Sequence, residues 1–269
     1  MPLSLPKATG QTWRADRRQG VFETLLVLDG RPVDLDAHLA RLHGSLTELY
    51  PDRDPPPLDV SIATGPDASP APGVSVEALR IAVAPGADGE LAATFERRPA
   101  NERFAPENGG QSSTEAVSLR SLRLPGGLGE HKWADRSLLD EAQAGLPSDA
   151  LPLIVDADGA VLEASRANVF AVRDGALLTP PLDGRVLPGI TRMRVLELAA
   201  AAGIEAREVG LGRADLHAAD AVFLTGSVRG IEPADHLDGR RLAARGDLCE
   251  RLTRLGVRRG AGREPTPWY

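Results

Sequence analysis

Gly126-Gly127-Leu128-Gly129-Glu130-His131-Lys132-Trp133 is the stretch around which the rest of the chain is organised. The 269-residue sequence holds 31 Lys and Arg residues, yet its only lysines are Lys7 and Lys132. An amine can do what a guanidinium cannot: once desolvated it loses its proton, serves as a base and forms a Schiff base with a carbonyl. Lys7 lies in a polar N-terminal segment. Lys132 follows a glycine-rich turn and precedes a helical pattern, a junction where a side chain can face a cleft. A solvated lysine at a helix start is the plainer alternative.

Upstream of this stretch, Val21 to Leu28 reads as a strand closed by an Asp29-Gly30 turn. Asp34 or Asp36 is placed to cap a helix whose buried face is Leu39, Leu42, Leu46 and Leu49. Residues 51–76, rich in Pro, Asp, Gly and Ser, read partly as loop. Two strands, 79–83 and 91–95, a surface loop over 100–114 and a strand over 116–119 follow. A domain boundary is expected near 118–126, giving a smaller domain over 1–120 and a larger one over 121–269 that carries Lys132. Downstream, 135–144 is helical, and 151–155 with 160–164, then 168–172 with 176–179, form two hairpins. A helix starts at Ile190, with Ile190, Met193, Leu196 and Ala200 outlining one face. Val195 and Leu198 lie off that face, which suggests burial on more than one side. A strand over 205–209, a short helix over 213–218, a strand over 221–224 running into Thr225-Gly226-Ser227, and a helix from about 246 to 255 complete the chain.

Composition narrows the function. A net charge of -7 with scattered arginines argues against nucleic-acid binding. No apolar run reaches membrane-spanning length, and the N-terminus lacks the apolar core of a secretory signal. The single cysteine, Cys249, excludes an internal disulfide framework and fits a reducing compartment, so the cytoplasm is expected. Several chemistries drop out. A phosphate loop needs Ser or Thr after its lysine, where this chain has Trp133; no G-x-G-x-x-G opens a helix after a strand; Gly226-Ser227-Val228-Arg229-Gly230 has the wrong spacing for a nucleophile elbow. The five histidines form no zinc-ligand spacing, so no metal is expected.

A Schiff-base lysine points to pyridoxal phosphate or to a carbonyl substrate. The former needs a carboxylate at the pyridine nitrogen and a phosphate cradle of backbone N–H groups. Glu163 sits in the strand Val161-Leu-Glu-Ala-Ser165, where a carboxylate on an apolar face needs a partner. Gly189-Ile190-Thr191 opens a helix with free N–H groups. Thr225-Gly226-Ser227 ends a strand with small residues that let backbone approach a ligand. Arg41, at the spacing His38-x-x-Arg41-Leu42, could meet the phosphate. A solvated strand face, an ordinary helix start, a plain turn and a solvated arginine are the alternatives.

In order and spacing these pieces resemble the class IV, fold-type IV pyridoxal-phosphate enzymes, which include branched-chain and D-amino-acid aminotransferases and 4-amino-4-deoxychorismate lyase. The matching stretches are Gly20-Val-Phe-Glu-Thr24, His38-Leu-Ala-Arg41-Leu42, His131-Lys132, Gly159-Ala-Val-Leu-Glu163 through Ala167-Asn168-Val-Phe170, Thr179-Pro180-Pro181, Leu187-Pro-Gly-Ile-Thr-Arg192 and Phe223-Leu-Thr-Gly-Ser227. The resemblance implies a two-domain α/β (α+β) fold with pyridoxal 5'-phosphate in the cleft between the domains, and a homodimer. Lys132 would hold the cofactor and move protons, Glu163 would pair with the pyridinium nitrogen, and Leu187 would pack on one ring face. Arg41, the Ile190 and Thr191 amides and Ser227 would hold the phosphate, and Gly189 and Gly226 would also bind the cofactor.

Two departures stand out. Arg18-Gln19-Gly20 replaces the family's usual Gly-Asp-Gly. The tyrosine that the aminotransferases carry five residues after the lysine is Ser137, and the chain's only tyrosines are Tyr50 and Tyr269. Phe22-Glu23-Thr24 is similar to the lyases, where the threonine relays a proton, and so is Lys132-Trp-Ala-Asp-Arg136. Some aminotransferases also have Phe-Glu-Thr. The resemblance therefore implies a lyase turning the small molecule 4-amino-4-deoxychorismate into 4-aminobenzoate and pyruvate for folate synthesis, with Lys132 and Thr24 catalytic. An aminotransferase acting on branched-chain or D-amino acids, or a non-catalytic protein on the same fold, are the other readings.

Overall fold

The computed structural model describes residues 13–60, 76–100 and 116–243, with 248, 251 and 252. The expected loop over 100–114 and the C-terminal helix lie almost wholly outside these residues, as does most of the stretch over 51–76.

The first sheet combines β1 (Val21–Leu28), β2 (Arg31–Pro32), β3 (Val76–Pro85) and β4 (Leu91–Pro99) in the order β2-β1-β3-β4, all antiparallel. Strand β1 is buried on both faces but for Thr24. Val21, Leu25 and Val27 pack with Leu42, Leu46 and Leu49 of α1 (Leu35–Leu49), and Leu39 is only partly buried there. Phe22 and Thr24 take the opposite face, as the two-residue period of a strand requires. Positive φ at both Asp29 and Gly30 makes the β1–β2 connection the primed type of hairpin turn. The expected aspartate cap is absent. Asp34 holds the N-cap position in left-handed conformation without capping, and its carboxylate instead accepts hydrogen bonds from Nε and Nη2 of Arg194 at 3.1 and 2.6 Å. A charged partner outcompetes a backbone amide for this acceptor.

The second sheet is built from β5 (Val117–Arg123), β6 (Ala150–Val155), β7 (Ala160–Ala164), β8 (Ala167–Arg173), β9 (Ala176–Thr179), β10 (Ala206–Glu208), β11 (Leu211–Gly212), β12 (Ala221–Gly226), β13 (Gly230–Leu237) and β14 (Arg240–Arg241). Pairings run β8-β12-β13-β5-β6-β7 and then return from β7 to β8, closing a barrel. Closure leaves those strands without an edge. Its interior is filled by Leu119, Leu153, Val169, Leu224 and Leu237 among others. Strand β13 had no sequence signal, because Glu232, Pro233 and Asp235 interrupt any apolar run.

Helices α2 (Ser137–Ala144) and α3 (Ile190–Ala201) pack in clusters apart from the barrel interior, whereas Leu216 of α4 (Arg213–Ala218) joins that interior cluster. The expected face of α3 is corrected. Val195, Leu198 and Ala199 pack on the stacked rings of Phe170 and Phe223, while Met193 is 38% exposed. Buried Arg192 fixes this rotation, donating to the Pro180 carbonyl at 3.0 Å and to Glu208 at 2.8 Å. A polar group thus decides a face that apolar spacing alone misassigned. Among the described residues no helix is long and apolar enough to cross a membrane.

The opening stretch joins the two sheets. Phe22 donates its amide to the Lys132 carbonyl at 2.9 Å, Ala134 donates to the Gly20 carbonyl at 3.0 Å, and Val21 bridges to Trp133. Lys132 is thereby laid along the start of β1. Gly127, at φ +68°, makes the approach possible: a Cβ there would stand 2.4 Å from the Arg185 carbonyl oxygen.

Candidate active site

Strand alternation and the Lys132 bridge place one set of side chains between the sheets. Phe22 and Thr24 project from β1, and Arg80 and Arg98 from β3 and β4, with Thr24 directly opposite Arg80. From the barrel come Glu163, Asn168 and Thr225, which are cross-strand neighbours in one row over β7, β8 and β12. The start of α3 and the Gly226-Ser227 turn complete the lining. The cleft has a volume of about 270 Å³. Thr24, Arg41, Lys132, Glu163, Leu187, Gly189, Ile190, Thr191, Gly226 and Ser227, the ten residues singled out in the sequence, all line it.

Lys132 and Glu163 define its electrostatics. Burial pushes the Lys132 amine down from 10.5 to about 8, against the pull of Glu23. Its Nζ lies 4.8 Å from the centroid of the Phe22 ring. Burial also pushes the Glu163 carboxyl up from 4.5 to about 8, opposed by the Leu187 amide, which donates to Oε1 at 3.3 Å. Glu163 thus has one weak hydrogen bond and a side that is free to meet a cationic partner.

The cleft is also lined by donors without partners. Helix α3 starts at Gly189 with no side-chain cap and no acidic residue in its first turn, so its first amides have no partner within the helix. A Cβ at Gly189 would lie 1.9 Å from Asn168 Oδ1 and would displace that side chain from its place. Asn168 in turn donates Nδ2 to the Leu187 carbonyl at 2.9 Å. The Thr225 hydroxyl is buried in the cleft floor without a hydrogen-bond partner. Orphaned donors at a helix N-terminus suit a phosphate, and a buried carboxyl sharing the cleft with a half-buried, desolvated amine suits a pyridine ring joined to the amine. The residues present fit pyridoxal phosphate.

Glu23 was not singled out in the sequence and proves central. It is 1% exposed, and its carboxylate accepts from Arg41 Nε and Nη2, both at 2.7 Å, and faces His38 Nδ1 at 2.7 Å. Arg41 Nη1 reaches the Pro188 carbonyl at 2.7 Å. Burial alone would raise the Glu23 carboxyl, but His38 and Arg41 together hold it down to about 2. Its signal was in the strand: Glu23 interrupts the apolar face Val21, Leu25, Val27, the same argument that singled out Glu163. Glu23→Gln should therefore loosen Arg41 and weaken cofactor binding about 10- to 100-fold, as loss of a charge-assisted clamp does; a fluorescence titration with an unchanged dissociation constant would refute this.

Ser137, at the place of the family's tyrosine, is exposed and donates its hydroxyl to Asp135 at 2.6 Å. Arg136 faces the cleft instead, held by a 2.5 Å bond from Nη2 to the Ser165 carbonyl. Elsewhere, ligand atoms of Glu48, Glu130 and His131 lie within 4.8 Å of one another, but both carboxylates are exposed and the imidazole already bonds Ser45.

A two-sheet enzyme with a buried lysine–carboxylate cleft is what these features define, and comparison places it. The chain belongs to the class IV aminotransferase family, whose model matches residues 20–237, and enzymes of that family depend on pyridoxal phosphate. A segment covering 32% of the chain is 42% identical to the branched-chain-amino-acid aminotransferase of Escherichia coli (strain K12), but spans only 28% of that protein. A hypothetical aminotransferase from Mycobacterium tuberculosis in its PLP-bound form superposes with a TM-score of 0.73 at 28% identity, covering 93% of each chain. A Legionella pneumophila structure provisionally described as a 4-amino-4-deoxychorismate lyase shares the fold, with TM-score 0.71 and 21% identity over 91% of this chain and 94% of that one.

Proposed function

We propose that this protein is a pyridoxal-phosphate-dependent lyase that converts 4-amino-4-deoxychorismate to 4-aminobenzoate and pyruvate. The observation that carries the reading is Thr24. It is the one half-exposed residue of an otherwise buried strand, faces the cleft beside Phe22, and stands opposite Arg80.

Pyridoxal phosphate, once bound, supplies an electron sink that acidifies the carbon bearing the substrate amine. Lys132 would hold the cofactor and, once displaced by the substrate amine, take the proton from that carbon. Glu163 would be ionised against the ring nitrogen and keep it protonated. Arg41, the Gly189, Ile190 and Thr191 backbone and Gly226-Ser227 would grip the phosphate, with Leu187 against the ring. The C–O bond to the enolpyruvyl group then breaks, and a proton delivered by way of Thr24 completes pyruvate as the remaining ring aromatises. Arg80 and Arg98 have no carboxylate bonded to them among the described residues, and they suit a substrate with two carboxylates of its own. Arg229 is less available, since it already bonds Glu232 at 3.0 Å. We propose a homodimer, by family analogy.

The second reading is an aminotransferase for branched-chain or D-amino acids, favoured by the segment similarity to the E. coli enzyme. Spectra of the bound cofactor separate the two. With 4-amino-4-deoxychorismate, a lyase releases 4-aminobenzoate and pyruvate and returns the cofactor spectrum unchanged each turnover. Conversion of the cofactor to its aminated form by an L- or D-amino acid, with release of a keto acid and no reaction of 4-amino-4-deoxychorismate, would overturn the lyase reading.

A further inference from the structure

Thr225 lies one strand step from Asn168 and two from Glu163, in the row that floors the cleft. It is 2% exposed, and its Oγ1 is buried without a partner. A hydroxyl taken from water with nothing to bond is costly, and folded proteins rarely leave one so without a reason. Nothing in β12 requires a hydroxyl there: two residues earlier, on the same face, Phe223 packs on Phe170 and α3. Valine has the same shape and would carry no such cost.

Oγ1 has no open surface in the cofactor-free cleft, so a turn about Cα–Cβ to another staggered rotamer would bring it to a ligand, and its neighbours frame the part of the cleft it would meet. Gly189 brings the start of α3 down onto Asn168, the cross-strand partner of Thr225. The uncapped first residues of α3 and Gly226-Ser227 line the same cleft. Two strand spacings, about 9.5 Å, separate the strand of Glu163 from that of Thr225. A pyridine nitrogen at the carboxylate therefore leaves the phosphate at the Thr225 end.

We propose that the Thr225 hydroxyl is a ligand of the cofactor's phosphate, left unsatisfied until the cofactor binds. The proposal rests on the reading of this cleft as a pyridoxal-phosphate site. It carries a consequence that a packing role does not. The hydroxyl costs the cofactor-free protein stability and returns affinity when phosphate arrives, so one substitution should move the two in opposite senses.

The test compares wild type, Thr225→Val and Thr225→Ser. Dissociation constants are measured for pyridoxal 5'-phosphate and for pyridoxal, which lacks the phosphate, and cofactor-free melting temperatures are recorded. Thr225→Val should bind pyridoxal phosphate about tenfold more weakly, bind pyridoxal as wild type does, and melt at the same or a higher temperature without cofactor. Thr225→Ser should keep wild-type affinity. Equal affinity of wild type and Thr225→Val for pyridoxal phosphate would overturn the proposal, as would equal losses for both ligands, which would put the hydroxyl on the ring. Failure of wild type itself to bind pyridoxal phosphate would instead refute the reading of the cleft, and the proposal with it.

Discussion

Lys132→Arg is expected to abolish turnover, by at least about 10⁴-fold, and to remove the visible absorbance of lysine-bound cofactor while leaving the fold intact. The substitution keeps the positive charge and much of the side-chain volume, so it isolates what the amine does. A guanidinium cannot lose its proton at any ordinary pH, whereas burial has already brought the Lys132 amine down to about 8. Near neutrality a useful fraction is then unprotonated and able to attack a carbonyl. Cofactor attachment to wild type should accelerate with pH and approach half its limit near 8, not near 10.5. Lys132→Ala should be equally inactive but partly rescued by small added amines, since its cavity leaves room for one beside Phe22. Substantial turnover by Lys132→Arg would remove Lys132 from the chemistry altogether.

The chain shows why some of this was legible in the sequence. Strand β1, the two hairpins of the barrel and α1 have regular apolar spacing and turn residues, and those local signals decide such elements. The cleft residues could be picked out because each breaks a local rule: one of only two lysines among the arginines, a glutamate on an apolar strand, glycine at a helix start. Glu23 breaks the same rule and could have been found with it. Other features depend on contacts remote in sequence. The rotation of α3 is set by Arg192 reaching Pro180 and Glu208, and Asp34 leaves its cap for Arg194, 160 residues away. The barrel closes only because β13, without any apolar run of its own, pairs with β12 and with β5. Thr225 looks like an ordinary strand threonine until its hydroxyl is seen to lack a partner.

The cofactor-free protein should be least stable near pH 8. Glu163 is pushed up from 4.5 to about 8, so between those values the folded chain keeps a proton that the unfolded chain has released. Folding then takes up a proton, and stability falls as pH rises through that window. Lys132 is pushed down from 10.5 to about 8, so between 8 and 10.5 the folded chain has released a proton that the unfolded chain still holds, and stability rises again. The two limbs meet near 8, where both desolvated groups carry their largest penalties. At about 1.4 kcal/mol per unit each limb is on the order of 3 to 5 kcal/mol, a large share of a domain's stability. Glu23, held down to about 2, adds a loss only below 4.5 and leaves this window untouched. Urea midpoints measured from pH 5 to 10 provide the check. Glu163→Gln, neutral at every pH, should erase the falling limb alone, and Lys132→Met the rising limb alone. Saturating pyridoxal phosphate should fill in the minimum, because on the proposed reading the ring nitrogen would give Glu163 a cationic partner and Lys132 would no longer be a free amine. A cofactor-free midpoint that changes in one direction only across this range would mean that the two groups are not desolvated together, and that the cleft is open to water where its chemistry needs it dry.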